Sequence, residues 1–361
     1  MSGIRINFKV ERPRFFVDVD LQLPGRGVVA LFGPSGSGKT TCLRAIAGLE
    51  RAAGAYVSVN GAVWQDESRG VFLATHQRPV GYVFQEAVLF DHLNIQRNVE
   101  YGMNRVPMTE RRVSLEQVVE LLGIGHLLTC KPATLSTGER QRVGIARALA
   151  VSPALLLMDE PLAALDHSRK NEILPYLERL HGELEIPIIY VSHVLGEVAR
   201  LADHVVLLDG GRVIASGEAV DIMARLDTPL TRSDMAGALI VGTINGHDPE
   251  NHLTYADFHG GNLALPYHDA PIGQPVRLRI LARDVSITTE KQIATSILNI
   301  LPVTVQALSD DNPGQVMVAL DAGGVRILAR VTRKSIATLQ LEPGRAVYAQ
   351  IKSVAVLRVA D

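Results

Sequence analysis

The sequence predicts an open α/β layer over its first part and a smaller all-β, barrel-like region over the rest. Three observations predict this. From Ile4 to about Leu226, short apolar runs alternate with helical patterns, as in a parallel sheet covered by helices. One of these runs leads through a glycine-rich loop into a helix. From about Ala238 onward, short alternating segments are separated by Gly, Pro, Asn and Asp, which marks a change of architecture. At ~100–200 residues per domain, 361 residues make two or three domains. With 47% hydrophobic and 20% charged residues, the chain has a globular balance and not that of a disordered one.

The elements follow in order. Val28–Phe32 and residues 155–158, 188–191 and 205–208 are continuous apolar runs, the form of strands buried on both faces. Residues 91–133 are helical without an obvious strand. Ser114 and Gln117 form a capping box that opens a helix over 115–122, with Val118, Val119, Leu121 and Leu122 set against the outward Glu116 and Glu120. This is a helical insert, about residues 88–150. Residues 169–184 place Ile173, Leu174, Leu177, Leu180 and Leu184 on one stripe, as in a helix covering a sheet. In the tail, residues 316–320 and 325–331 flank Asp321-Ala322-Gly323-Gly324 and predict a hairpin. Residues 273–280 and 344–351 share a turn glycine, a valine three positions on and a final isoleucine. Two copies of a small β-barrel module explain this repeat, and chance similarity between two strands is the alternative. The expected domains are residues 1–230 and 231–361.

Gly33-Pro34-Ser35-Gly36-Ser37-Gly38-Lys39-Thr40 follows the apolar run Val28–Phe32 and precedes a helix that begins at Thr41. This is the G-x-x-x-x-G-K-[ST] pattern in its required strand–loop–helix setting. Glycines let backbone N–H groups close around phosphate oxygens, and the helix N-terminus adds a favourable partial charge. Lys39 is expected to reach the terminal phosphates of a nucleotide, and Thr40 to offer a hydroxyl to Mg²⁺. A second apolar run ends in Asp159-Glu160. Asp159 suits orientation of Mg²⁺, and Glu160 suits polarisation of a water attacking the γ-phosphate. A solvated pair of acids at a strand end is the alternative, and the phosphate loop in the same chain favours the chemical reading.

Leu135-Ser136-Thr137-Gly138-Glu139-Arg140-Gln141-Arg142 then opens a further helix. Phosphate loop, Leu-Ser-x-Gly segment and Asp-Glu strand, in this order, resemble the ATP-binding subunits of ABC transporters over roughly residues 4–226. The resemblance implies an ABC ATPase cassette with ATP and Mg²⁺ as ligands, and Thr41 continues its phosphate loop. It makes Gln85 the Q-loop glutamine near Mg²⁺ and the lytic water, Asp166 the D-loop aspartate and His193 the switch histidine. It makes Ser136, Thr137, Gly138 and Glu139 the signature, which acts on nucleotide held by the opposite subunit, so that a homodimer is needed. Two residues depart from the usual pattern: Thr137 stands for Gly, and Glu139 for Gln. Phe15 and Phe16 lie where an adenine-stacking aromatic is expected, with a core position as the alternative.

Within this family, residues 80–90, 101–103, 169–177 and the tail resemble the ATPase subunits of molybdate importers, the ModC family. The tail, with a last module over about residues 292–361, is similar to Mop or TOBE barrels. That similarity implies molybdate or tungstate near Ser296, Lys352 and Ser353, although Leu298 stands where relatives carry a basic residue. It also implies a membrane permease, a substrate-binding protein reached through it, and a peripheral place on the cytoplasmic face of the inner membrane. A net charge of −2 gives no general attraction to nucleic acid. No apolar run reaches the ~20 residues of a membrane-spanning helix. Cys42 and Cys130 are too few for a disulfide framework. An importer of another cargo, a non-transport ABC ATPase and an oxyanion store remain as rival readings.

Overall fold

A computed structural model describes residues 3–12 and 15–359. They divide into two compact units, Met1–Ser216 and Gly217–Asp361. In chain order the first unit comprises β1 (Gly3–Arg12), β2 (Phe15–Pro24), β3 (Val28–Phe32), α1 (Lys39–Ala47), β4 (Ala53–Val59), β5 (Ala62–Asp66), β6 (Val71–Phe72) and β7 (Val80–Val83). The helical insert follows, with α2 (Ile95–Met103), α3 (Leu115–Leu121) and α4 (Thr137–Leu149). After it come β8 (Leu155–Asp159), α5 (His167–Glu183), β9 (Ile188–Ser192), α6 (Leu195–Leu201), β10 (His204–Asp209) and β11 (Arg212–Glu218).

These strands form one sheet of order β6-β5-β4-β1-β2-β11-β10-β3-β9-β8-β7. The β10-β3-β9-β8-β7 side is parallel and the β6-β5-β4-β1-β2 side antiparallel. The apolar runs became parallel strands because both their faces are covered. Leu156 and Met158 of β8 join one core with the helices of the insert and α5, while Leu155 and Leu157 join another with α1. The predicted capping box of α3 is present, with Ser114 Oγ accepting from the Gln117 N–H and Gln117 reaching back. The stripe on α5 is buried at Ile173, Leu174, Leu177 and Leu180, and Leu184 is partly buried against the same core.

The second unit contains α7 (Ala219–Met223), β12 (Gly237–Asp248), β13 (Leu253–Phe258), β14 (Gly261–Pro266), β15 (Pro275–Leu281), β16 (Val285–Thr288) and β17 (Asn299–Asn312). It ends with β18 (Gln315–Ala322), β19 (Val325–Thr332), α8 (Arg333–Leu339), β20 (Ala346–Ile351) and β21 (Ala355–Val359). The hairpin falls at β18–β19, its turn made by Gly323 and Gly324, both at positive φ. The two similar segments enter their strands alike, through Gly273 at φ 91° and Gly344 at φ 90°. The sheets also match, as β14-β13-β12-β15-β21 and β19-β18-β17-β20-β16. In each sheet the fifth strand comes from the other half of the repeat: β16 follows β15 in sequence but pairs with β20, and β21 follows β20 but pairs with β15. One apolar core, including Ile240, Leu278, Leu301 and Val318, serves both sheets. Among the described residues no helix is long and apolar enough to cross a membrane.

Candidate active site

Strands β3, β9, β8 and β7 lie side by side and run in one direction, so the loops after them leave the same edge of the sheet. Those loops carry, in that order, the phosphate loop, His193, Asp159-Glu160 and Gln85.

In the phosphate loop Gly36 and Gly38 have φ of 81° and 102°, a region that disfavours side chains. A Cβ at Gly38 would lie 2.5 Å from Val17 Cγ2, and one at Gly33 2.0 Å from the Leu208 carbonyl oxygen. The Lys39 ammonium curls back over the loop and donates to the carbonyls of Gly33 at 2.9 Å and Pro34 at 2.8 Å. Burial lowers its pKa, and the nearby Glu160 and Asp159 act against that shift. Ser37 is buried and its Oγ has no hydrogen-bond partner among the described residues, an uncommon state for a hydroxyl. An unpartnered hydroxyl in a glycine cradle, beside an ammonium and the start of α1, fits nucleotide phosphates. Pro34, Ser35 and Gly36 form the exposed rim of this loop, and Thr41 sits half-buried in the first turn of α1.

Thr40 Oγ1 donates to Asp159 Oδ1 at 2.9 Å, and the Tyr82 hydroxyl donates to Oδ2 at 3.1 Å. Burial raises the Asp159 pKa, opposed by these two hydrogen bonds. A hydroxyl and a carboxylate brought together are the hard oxygen donors that Mg²⁺ takes. Glu160 follows with φ at 45°, and its N–H donates to the Val191 carbonyl at 3.2 Å, which fixes it against β9. Its Oε2 stands 3.0 Å from His193 Nδ1. Gln85 is exposed just beyond β7.

Ser136 caps α4: its N–H and Oγ donate to Glu139 Oε2 at 2.8 and 2.7 Å, and Oγ accepts from the Glu139 N–H at 3.3 Å. The hydrogen bond from the Ser136 hydroxyl lowers the Glu139 pKa. Both departures from the usual signature are accommodated. Thr137 is exposed at the first helical position, and Glu139 completes the capping box as an anion near a helix N-terminus. Gly138 is buried. Asp166 caps α5 by accepting from the Arg169 N–H at 2.9 Å. Phe15 packs against the core, whereas the exposed Phe16 ring lies 5.2 Å from the Arg212 guanidinium.

In the second unit, Ser296, Lys352 and Ser353 are all exposed. Asn299 pairs with Ile351, which runs the start of β17 along the end of β20, and the Lys352 N–H donates to the Asp284 carbonyl at 2.9 Å. No hydrogen bond among the described residues joins the three side chains.

Sequence reasoning missed Tyr82 as a partner of Asp159. It also missed Arg78, a buried guanidinium that donates to the Ala45 and Ile46 carbonyls at the end of α1 and whose pKa burial lowers to about 10. No local pattern marks either residue, since each acts across a long stretch of chain.

The ABC transporter family model matches residues 16–163, and the TOBE domain model matches residues 295–357. The "Molybdenum import ATP-binding protein ModC 1" of Azotobacter vinelandii is 58% identical, over 99% of this chain and 99% of its own length. The ModC proteins of Albidiferax ferrireducens and Pseudomonas aeruginosa are each 56% identical over 99% of this chain, covering 96% and 100% of their own lengths. Among solved structures, cbiO1 from Clostridium perfringens, part of the ABC transporter complex cbiONQ, aligns with a TM-score of 0.54 at 25% identity, covering 62% of this chain and 90% of that one. With a phosphate loop facing an Asp-Glu pair at one sheet edge and relatives matching from end to end, the chain belongs to the ModC family of ABC transporter ATP-binding proteins.

Proposed function

We propose that this chain is the ATP-hydrolysing subunit of a molybdate importer, working as a homodimer with a membrane permease and, through it, a molybdate-binding protein. The observation that carries the chemistry is the meeting of Thr40 with Asp159 and of His193 with Glu160 at one sheet edge. The glycine loop and Lys39 hold the phosphates, and the exposed Phe16 ring offers a platform for adenine. Thr40, Asp159 and Gln85 are the residues that would hold Mg²⁺, which when bound neutralises phosphate charge. Glu160 polarises the attacking water, and His193 orients Glu160 and the γ-phosphate region. Ser136 and Gly138 of the partner copy, with Asp166 at the same interface, complete the site, so that hydrolysis opens a closed dimer.

Phe84 next to Gln85 in sequence, and Val88 and Tyr101 of the helical insert, are apolar side chains 44%, 66% and 41% exposed, available to a permease helix at the cytoplasmic face of the inner membrane. In the second unit, Ser296, Lys352 and Ser353 offer O–H and N–H donors to molybdate or tungstate at the β17–β20 junction. Reconstitution with permease and binding protein tests the proposal. Glu160→Gln is expected to lower hydrolysis by at least ~100-fold while keeping ATP binding and trapping the dimer. Uptake should be driven by molybdate and not by sulfate. A Glu160→Gln chain that stays monomeric with saturating ATP, or uptake that prefers sulfate, overturns it.

A further inference from the structure

Glu197 stands in the first turn of α6 and is only 5% exposed. A carboxylate at that depth needs compensation, and it has three side-chain partners from two other elements. Oε1 accepts from Lys170 Nζ of α5 at 2.8 Å. Oε2 accepts from the Tyr190 hydroxyl at 2.8 Å and from Ser192 Oγ at 2.7 Å, both on β9. Ser192 Oγ in turn accepts from the Val194 N–H at 3.0 Å. The residues on either side of His193 are thus tied to one carboxylate, Ser192 directly and Val194 through the serine hydroxyl. Lys170 carries the tie to α5, where its N–H donates to the carbonyl of Asp166 at 3.0 Å. Burial and the carboxylate raise the Tyr190 hydroxyl well above its usual pKa, so it remains a donor.

A buried ion of this kind adds little stability over apolar side chains of the same volume, so its effect is to be sought in geometry. We infer that Glu197 is a positioning residue: it fixes the bend over residues 192–194 so that the His193 imidazole stays within hydrogen-bonding distance of Glu160, and through Lys170 it couples that bend to the segment bearing Asp166. The inference rests on the roles given above to Glu160 and His193. The phosphate loop is held separately, by its glycines, Lys39 and α1, so loss of Glu197 should affect turnover and leave nucleotide binding intact.

The test is steady-state ATP hydrolysis by the full chain in its transporter complex, together with binding of a fluorescent ATP analogue. Glu197→Gln keeps the shape and removes the charge. It should lower kcat about 10- to 100-fold, as a misplaced catalytic group does, with KM and analogue Kd within about twofold. Ser192→Ala leaves the Lys170–Glu197 ion pair in place and should lower kcat in the same way even if Glu197→Gln folds poorly. In both variants the ¹⁵N ring signals of His193 should move toward those of Glu160→Gln, a shift that general loosening of the fold would not give. Folded variants with kcat within twofold of the parent and unmoved His193 signals overturn the inference. If Glu160→Gln and His193→Ala abolish hydrolysis while Glu197→Gln and Ser192→Ala do not, only this inference fails. If Glu160→Gln and His193→Ala are themselves active, the reading of the site fails and the inference with it.

Discussion

Asp159 sits where its charge is costly, because burial raises its pKa above the ordinary carboxylate value of 3.8. Between that value and the raised one, the folded chain holds the proton more tightly than the unfolded chain, so stability falls as pH rises through the window. Above the raised value the penalty is complete. Asp159→Asn is therefore expected to raise the melting temperature of the nucleotide-free chain at pH 7, to lose that gain below about pH 4, and to abolish hydrolysis. Calorimetry against pH with a parallel ATPase assay checks all three outcomes. Asp159 itself was legible in the sequence because it ends an apolar run. Its partners Thr40 and Tyr82 lie 119 and 77 positions away, and no local pattern links them to it. Glu197 was illegible for the same reason: in sequence it is one polar residue in a short helix, and only the fold places Lys170, Tyr190 and Ser192 around it.

Helix α4 carries two demands in one element, since the Ser136–Glu139 capping box that starts it is also the segment proposed above to act on the partner copy's nucleotide. Ser136→Ala should cost about 1 kcal/mol of stability, the usual loss for a removed cap, and should lower hydrolysis by more than that loss of folded chain explains. Urea unfolding compared with turnover per folded molecule separates the two effects. The elements read best in the sequence, β3, β8, β9, α3 and α5, have strong local patterns: continuous apolar runs, a capping box or a helical stripe. The antiparallel flank β6-β5-β4-β1-β2 was not specified. Strands that meet water on one face alternate, and alternation names neither a partner nor a register.

Across the whole second unit, each of the two sheets is finished by a strand from the other half of the repeat. The eight-residue similarity made the repeat readable, but an exchanged edge leaves no mark in either copy. Removing residues 355–361 should therefore open the β15 edge, belonging to the first half, and spare β20, whose sequence neighbour has been deleted. Hydrogen exchange is expected to show lost protection at Arg277 and Arg279 of β15, with β20 amides changed less.

The same exchange bears on how the polypeptide is made. A ribosome releases β12 to β15 well before β21 exists, so the earlier sheet waits with a bare flank until the final strand emerges. Translation that stops before β20 is made leaves two unfinished sheets and no sound one, which turns such a nonsense codon into a signal that cellular proteases can read at once.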